Sequence, residues 1–130
     1  MPRRDCRAGF TLGAVLVTVG ILAILASIAV PGYLKAVERG HWRGAQDVLL
    51  AIYAGEQVYE AVNDTYVDPA GCVAPPPWQC IYVDNPNGGV VTYAVNATKT
   101  TFSVTATRKA GVSMSIDQTK AIDTTAWPQP

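Results

Sequence analysis

The sequence predicts an α+β fold in which one long N-terminal helix, membrane-spanning in its first half, carries a small three-stranded antiparallel sheet on its second half. Three observations carry this. An uncharged run extends from Phe10 to Val30, and a one-sided apolar pattern at three- and four-residue steps follows it to about Val62. After a stretch rich in proline and glycine, three short runs alternate apolar and hydroxyl residues.

The uncharged run of about 21 residues rises roughly 31 Å as a helix, enough to cross the hydrocarbon of a bilayer. A secretory signal peptide has a shorter apolar stretch of ~7–15 residues, closed by a small-residue cleavage site. Val30-Pro31-Gly32-Tyr33 is a poor exit of that kind. Thr11, Thr18 and Ser27 fit a membrane helix when their hydroxyls bond the preceding turn. Arg3, Arg4 and Arg7 precede the run against a single Asp5, which by the positive-inside rule leaves the N-terminal tip in the cytoplasm and the rest of the chain outside.

Beyond Pro31 the apolar residues become one-sided. Val37, Ala45, Val48, Leu49, Ile52, Val58 or Tyr59, and Val62 form a stripe, with Glu38, Arg39, Arg43, Gln46, Asp47, Glu56, Gln57 and Glu60 between them as a polar back. Pro31 and Gly32 loosen or kink a helix without ending it. One helix is therefore expected from about Thr11 to about Asn63, leaving through Asn63-Asp64, residues that tolerate a left-handed cap. His41 and Trp42, just past the apolar run, read as an interfacial anchor.

From residue 65 to 89 the chain holds eight prolines and glycines together with Cys72 and Cys80, which we pair as a disulfide. Closing a loop of about 9 residues removes roughly 2.6 kcal/mol of unfolded-state freedom in the chain-entropy treatment. Ile81-Tyr82-Val83 is read as a short strand inside this stapled loop. Residues 90–130 then supply the sheet and a tail, with strands at 90–95, 101–107 and 112–116. Tyr93 and Val95, Phe102, Val104 and Ala106, and Val112, Met114 and Ile116 face inward. A three-stranded meander is not stable alone and needs the helix stripe as its second layer.

Composition narrows the function classes. The whole chain is neutral, but from Ala36 onward it carries 6 Lys/Arg against 9 Asp/Glu, which disfavours a nucleic-acid partner. No metal or other cofactor is expected, because the chain has one histidine, no CxxC spacing, and Asp64, Asp68, Asp84 and Asp117 spaced as turn and cap residues rather than as a calcium loop. No catalytic set assembles around His41, and no glycine-rich phosphate loop precedes a helix, so an enzyme is not expected. Arg108 and Lys109 are read as a solvated basic pair at a hairpin tip.

The N-terminal stretch Arg7-Ala8-Gly9-Phe10-Thr11-Leu12, the apolar run and Pro31 resemble the start of type IV pilins and type II secretion pseudopilins. The likeness extends, more weakly, to "NDTY" at residues 63–66 and to "FSVTATRKAGVSMSID" at residues 102–117. What it implies is a leader at residues 1–9, a membrane and filament-core helix at 10–31, and an amphipathic half at 32–64. A prepilin peptidase would cut after Gly9, with Arg3, Arg4 and Arg7 as the basic leader residues, and Phe10 would become the N-methylated terminus. Cys6 would leave with the leader. The chain would begin as a single-pass precursor in a bacterial inner membrane, held in lipid. An inner-membrane platform would then assemble it with other pilin subunits through the N-terminal helices into an extracellular or periplasmic filament. Pro31 and Gly32 would let the helix yield during that transfer.

One residue departs from the likeness. The family usually has glutamate at the fifth mature position, which here is Ala14. A terminal ammonium at hydrocarbon depth costs roughly 2.5–3.5 kcal/mol and seeks a carboxylate. Ala14 cannot supply one to a neighbour, so the expectation is a minor subunit of a type IV pilus, or of a type II secretion or competence pseudopilus. The competing class is a permanently anchored binding module that keeps residues 1–9 and uses the stapled loop for a ligand.

Overall fold

The computed structural model describes residues 11–72, 76–109 and 111–130. The chain divides into two units, residues 1–37 and residues 38–130. A single helix, α1, runs Leu12–Asn63 and holds Pro31 in its interior. The proline is tolerated because it costs one backbone bond and bends the ladder without stopping it.

Within the first unit every side chain from Leu12 to Val37 is exposed, among them Leu12, Leu16, Leu22, Ile24, Leu25 and Ile28. The hydroxyls are satisfied locally, as a membrane helix requires. Thr18 Oγ1 donates to the Val15 carbonyl at 2.8 Å and Ser27 Oγ to the Ile24 carbonyl at 2.7 Å. At the N-terminal end, Thr11 Oγ1 accepts the Ala14 amide at 3.2 Å, a side-chain cap on one of the helix's otherwise unpaired donors.

The second unit has its own core. The helix contributes Ala45, Leu49, Ile52, Gly55 and Glu56, a buried stripe at steps of three and four. The expected stripe runs too far at both ends and misses a member: Val37 and Val62 are exposed, Tyr59 rather than Val58 packs against the core, and Glu56, assigned to the polar back, is completely buried. At this end of the helix the Val67 amide bonds to Glu56, Gln57 bonds to the Tyr66 hydroxyl and Ile81 sits against Gly55, so the buried face there turns toward residues 65–67 and 81. Asn63 and Asp64 end the helix as expected, with Asp64 left-handed at φ 55° and its amide bonded to the Glu60 carbonyl at 2.8 Å.

The sheet has four antiparallel strands rather than three, in the order β1 Thr92–Ala97, β2 Phe102–Lys109, β3 Val112–Asp117 and β4 Ile122–Asp123. Tyr93 pairs with Ala106, Val95 with Val104, Val104 with Ile116 and Ala106 with Met114. These residues form the inner face together with Phe102. The outer face is hydroxyl-rich, for example Thr105 opposite Ser115. The first strand begins two residues later than expected, at Thr92, and Asn87 borders its free edge at Tyr93. The Asn87 side chain accepts the Tyr93 amide at 2.6 Å and donates to the Tyr93 carbonyl at 3.1 Å. Val112 is only half buried, where the pairing shifts between Thr107 and Lys109.

The strand expected at Ile81-Tyr82-Val83 is absent. Gln79–Ile81 is a 3-10 turn between Trp78 at φ 71° and Tyr82 at φ 60°, both left-handed. Hydrogen bonds hold Trp78 there despite its bulk: its amide donates to the Pro69 carbonyl, and its carbonyl accepts from Ile81 and Val83. A second 3-10 turn, Pro69–Gly71, is capped by Asp68, whose carboxylate accepts the Ala70 amide at 3.0 Å.

Candidate assembly segment

The leader and processing residues Arg3, Arg4, Arg7, Gly9 and Phe10 lie outside the described residues. The remaining expected assembly residues all sit on α1. Ala14 has its amide capped by Thr11 and an exposed methyl, on a helix that has no acidic residue in its first turn. Pro31 lies mid-helix, and a Cβ added at Gly32 would meet nothing within 4 Å. Chemically this is an apolar rod whose side chains the chain itself leaves uncovered. It is long and apolar enough to cross a membrane.

Cys72 and Cys80 belong to the second unit and form the expected disulfide, with their Cα atoms 6.4 Å apart. They staple the two 3-10 turns. The loop also packs by aromatic contact, since the Tyr66 and Phe102 rings lie 4.8 Å apart and Tyr53 and Phe102 5.8 Å apart. At the helix side, Gly55 permits a close approach that no other residue would: a Cβ there would meet the Ile81 carbonyl oxygen at 2.3 Å.

Three readings of exposed polar or basic residues are corrected by a clasp at the start of the second unit. Glu38 is not on a free polar back, because it pairs with Arg108 and its Oε1 accepts the indole N–H of Trp127 at 3.2 Å. Arg108 is accordingly half buried rather than a solvated hairpin-tip charge. Trp42 donates its indole N–H to the Trp127 carbonyl at 2.9 Å, so its partner is the C-terminal segment. Arg39 adds a bond to the Pro130 carbonyl at 2.9 Å. Trp127 itself is 3% exposed and belongs to the core. Nothing in the sequence around "TTAWPQP" marks it as such except that an isolated tryptophan near a chain's end needs a place to be buried.

The acidic residues divide by environment. Asp117 and Asp123 each accept from the amide and hydroxyl of the threonine two residues on, Thr119 and Thr125. These bonds, led by the hydroxyl, hold both carboxyls below the usual aspartate value. Asp64 and Asp68 serve the helix exit and the turn cap described above. Among the described residues no three His, Cys, Asp or Glu side chains gather as a metal would need. Glu56 is the exception to this solvated pattern. Its Oε2 accepts the Val67 amide at 3.1 Å, while its Oε1 finds no hydrogen-bond partner among the described residues. Burial pushes its carboxyl up to about 7, the Val67 bond opposes this, and the charge of Asp68 adds to it.

A long apolar helix leading into a helix-on-sheet domain with a four-stranded antiparallel meander is an α+β, pilin-like layout. Comparison with known proteins agrees for part of the chain: it is 35% identical over 60 residues to the type IV major pilin protein PilA of Myxococcus xanthus (strain DK1622). That match covers 46% of this chain and 27% of PilA. No protein-family description matches the chain, and no solved structure matches it.

Proposed function

We propose that the chain is a subunit of a type IV pilus or a related pseudopilus, and a minor one. The observation that carries this is the exposed apolar half of α1, which needs a cover that the chain does not provide. Lipid would cover it first and the same helices of neighbouring subunits afterwards. The partial likeness to PilA supports the choice of filament, and the helix-on-sheet layout supports it independently.

On this reading the inner-membrane precursor is cut after Gly9 by a prepilin peptidase and N-methylated on Phe10. An assembly platform then draws the subunit out of the bilayer. Residues 10–31 form the filament core, residues 32–64 carry the domain, residues 65–89 form its stapled loop, and Pro31 and Gly32 mark where the helix yields. The minor role rests on Ala14. Without a carboxylate there, this chain can have its own terminal ammonium received by a neighbour's glutamate but cannot return the service. It suits a tip or a sparse position, in a pilus, a secretion pseudopilus or a competence pseudopilus.

Mass spectrometry of the mature chain tests the processing: the expected N-terminus is methylated Phe10. A chain that still starts at or near Met1 would instead support a permanently anchored binding module. For the minor role, Ala14→Glu should raise the share of this subunit in purified filaments severalfold. Unchanged stoichiometry would remove the basis for that assignment.

A further inference from the structure

We propose that Glu56 works as a proton-operated latch, holding the 65–72 segment against α1 when protonated and releasing it when ionised. The geometry is that of a bolt with one seat. Glu56 has no accessible surface and, among the described residues, a single bond to the Val67 amide at 3.1 Å and a second oxygen without a partner. A neutral carboxyl tolerates such a site, but a carboxylate with one hydrogen bond does not, because desolvation of the charge is hardly compensated.

The surroundings withhold any other compensation. Asp68, beside Val67 on the segment packed over the helix, adds a like charge. The Gln79–Ile81 turn, seated on the neighbouring Gly55, brings no ionisable group, since Cys80 is in the disulfide. Along α1 the nearest ionisable groups are Tyr53, Tyr59 and Glu60, none of them a cation, and the segment's own Tyr66 is bonded by Gln57 at 3.3 Å. No lysine, arginine or histidine bonds to Glu56 among the described residues.

The direction follows from linkage. In the docked state the carboxyl sits near 7, above its ordinary 4.5, so the docked state binds the proton more tightly than the released one. The proton's contribution to docking is complete below about 4.5 and is lost as pH rises through about 7. What is released is not the α1 core but the 65–72 segment, whose Asp68, Ala70 and Gly71 are exposed. The latch therefore makes the order of an outward surface depend on pH in the neutral range.

Hydrogen exchange of the full chain in a non-ionic detergent, read at the Val67 amide and corrected for intrinsic exchange, tests this. Protection should fall about tenfold between roughly pH 6 and roughly pH 8 in the unaltered chain. Glu56→Gln should abolish the dependence, and Asp68→Asn, which keeps a capping side chain, should move it to lower pH. A wild-type protection that does not change with pH, or a Glu56→Gln chain that keeps the wild-type slope, would overturn the latch. If Glu56→Gln does not fold, Asp68→Asn decides alone: an unmoved profile overturns the latch and a downward shift supports it.

Discussion

Gly55 and Gly44 are eleven residues apart on one helix, yet the same substitution should act on them in opposite senses. A methyl at Gly55 would collide with the Ile81 backbone oxygen at 2.3 Å, and a backbone atom cannot swing aside as the end of a long side chain can. Gly55→Ala is therefore expected to lower stability by about 1–3 kcal/mol, more than the gain in helix propensity returns. At Gly44 nothing lies within 4 Å, so Gly44→Ala should raise stability by about 0.5–1 kcal/mol. Thermal unfolding of both variants in the same detergent checks the pair; equal signs would mean that the stapled loop does not press on the helix at Ile81. These residues also show why the candidate sites were only partly legible. Glu56 continues the steps of Ala45, Leu49 and Ile52, but its charge argues for the polar back, and in the sequence alone the charge outweighs the period. Cys72 and Cys80 were legible because a pair of exported cysteines close in sequence has one simple outcome. Ala14 could be read only against a likeness, since its structural surroundings, a cap and open space, say nothing about a missing carboxylate.

At the scale of elements, helix and sheet were legible to within a residue or two because each has a period: α1 begins at Leu12 and ends at Asn63, and the three longer strands follow their alternation. The elements that were missed have none. The fourth strand is two residues long, the two 3-10 turns are three each, and the tail gains its place from a single tryptophan. That tail is nonetheless a structural element by its contacts, because Trp127 bonds to Glu38 and Trp42 while filling the core. Trp127→Ala should therefore cost about 3–5 kcal/mol, the range for emptying a buried aromatic site. Glu38→Gln keeps an acceptor for the indole and removes only the pairing with Arg108. Both side chains are partly solvated, so its cost should stay below about 1 kcal/mol. Chemical denaturation of the two variants separates packing from charge: comparable losses would show that the ion pair, not the indole, fastens the tail.

For the whole molecule, the decisive fact is that, among the described residues, every buried hydrophobic one, from Ala45 to Trp127, lies within residues 38–130. The apolar half of α1 contributes none, which is why its composition alone declared it a membrane segment while the α+β domain had to be read from patterning. A domain that owns its core and a disulfide should not need the segment that precedes it. A chain beginning at Lys35 is therefore expected to be soluble without detergent, to unfold cooperatively, and to lose stability on reduction by about 2–3 kcal/mol. Of the apolar side chains it still exposes, Val58, Val62 and Tyr82 gather around one small hollow at the helix exit and Val90 lies apart, which is no more than a soluble domain carries. The full chain should partition into membranes or detergent, and Leu22→Arg in the middle of the run should weaken that insertion by about 2.5–3.5 kcal/mol without changing the unfolding of the domain. Circular dichroism and denaturant titration of the shortened chain, beside carbonate extraction of the long one, measure the two halves separately. If the shortened chain aggregates or unfolds without a cooperative transition, the apolar helix is part of what holds the domain together. A helix with that duty could not be traded from lipid to neighbouring subunits, so the proposed filament role would fail with it.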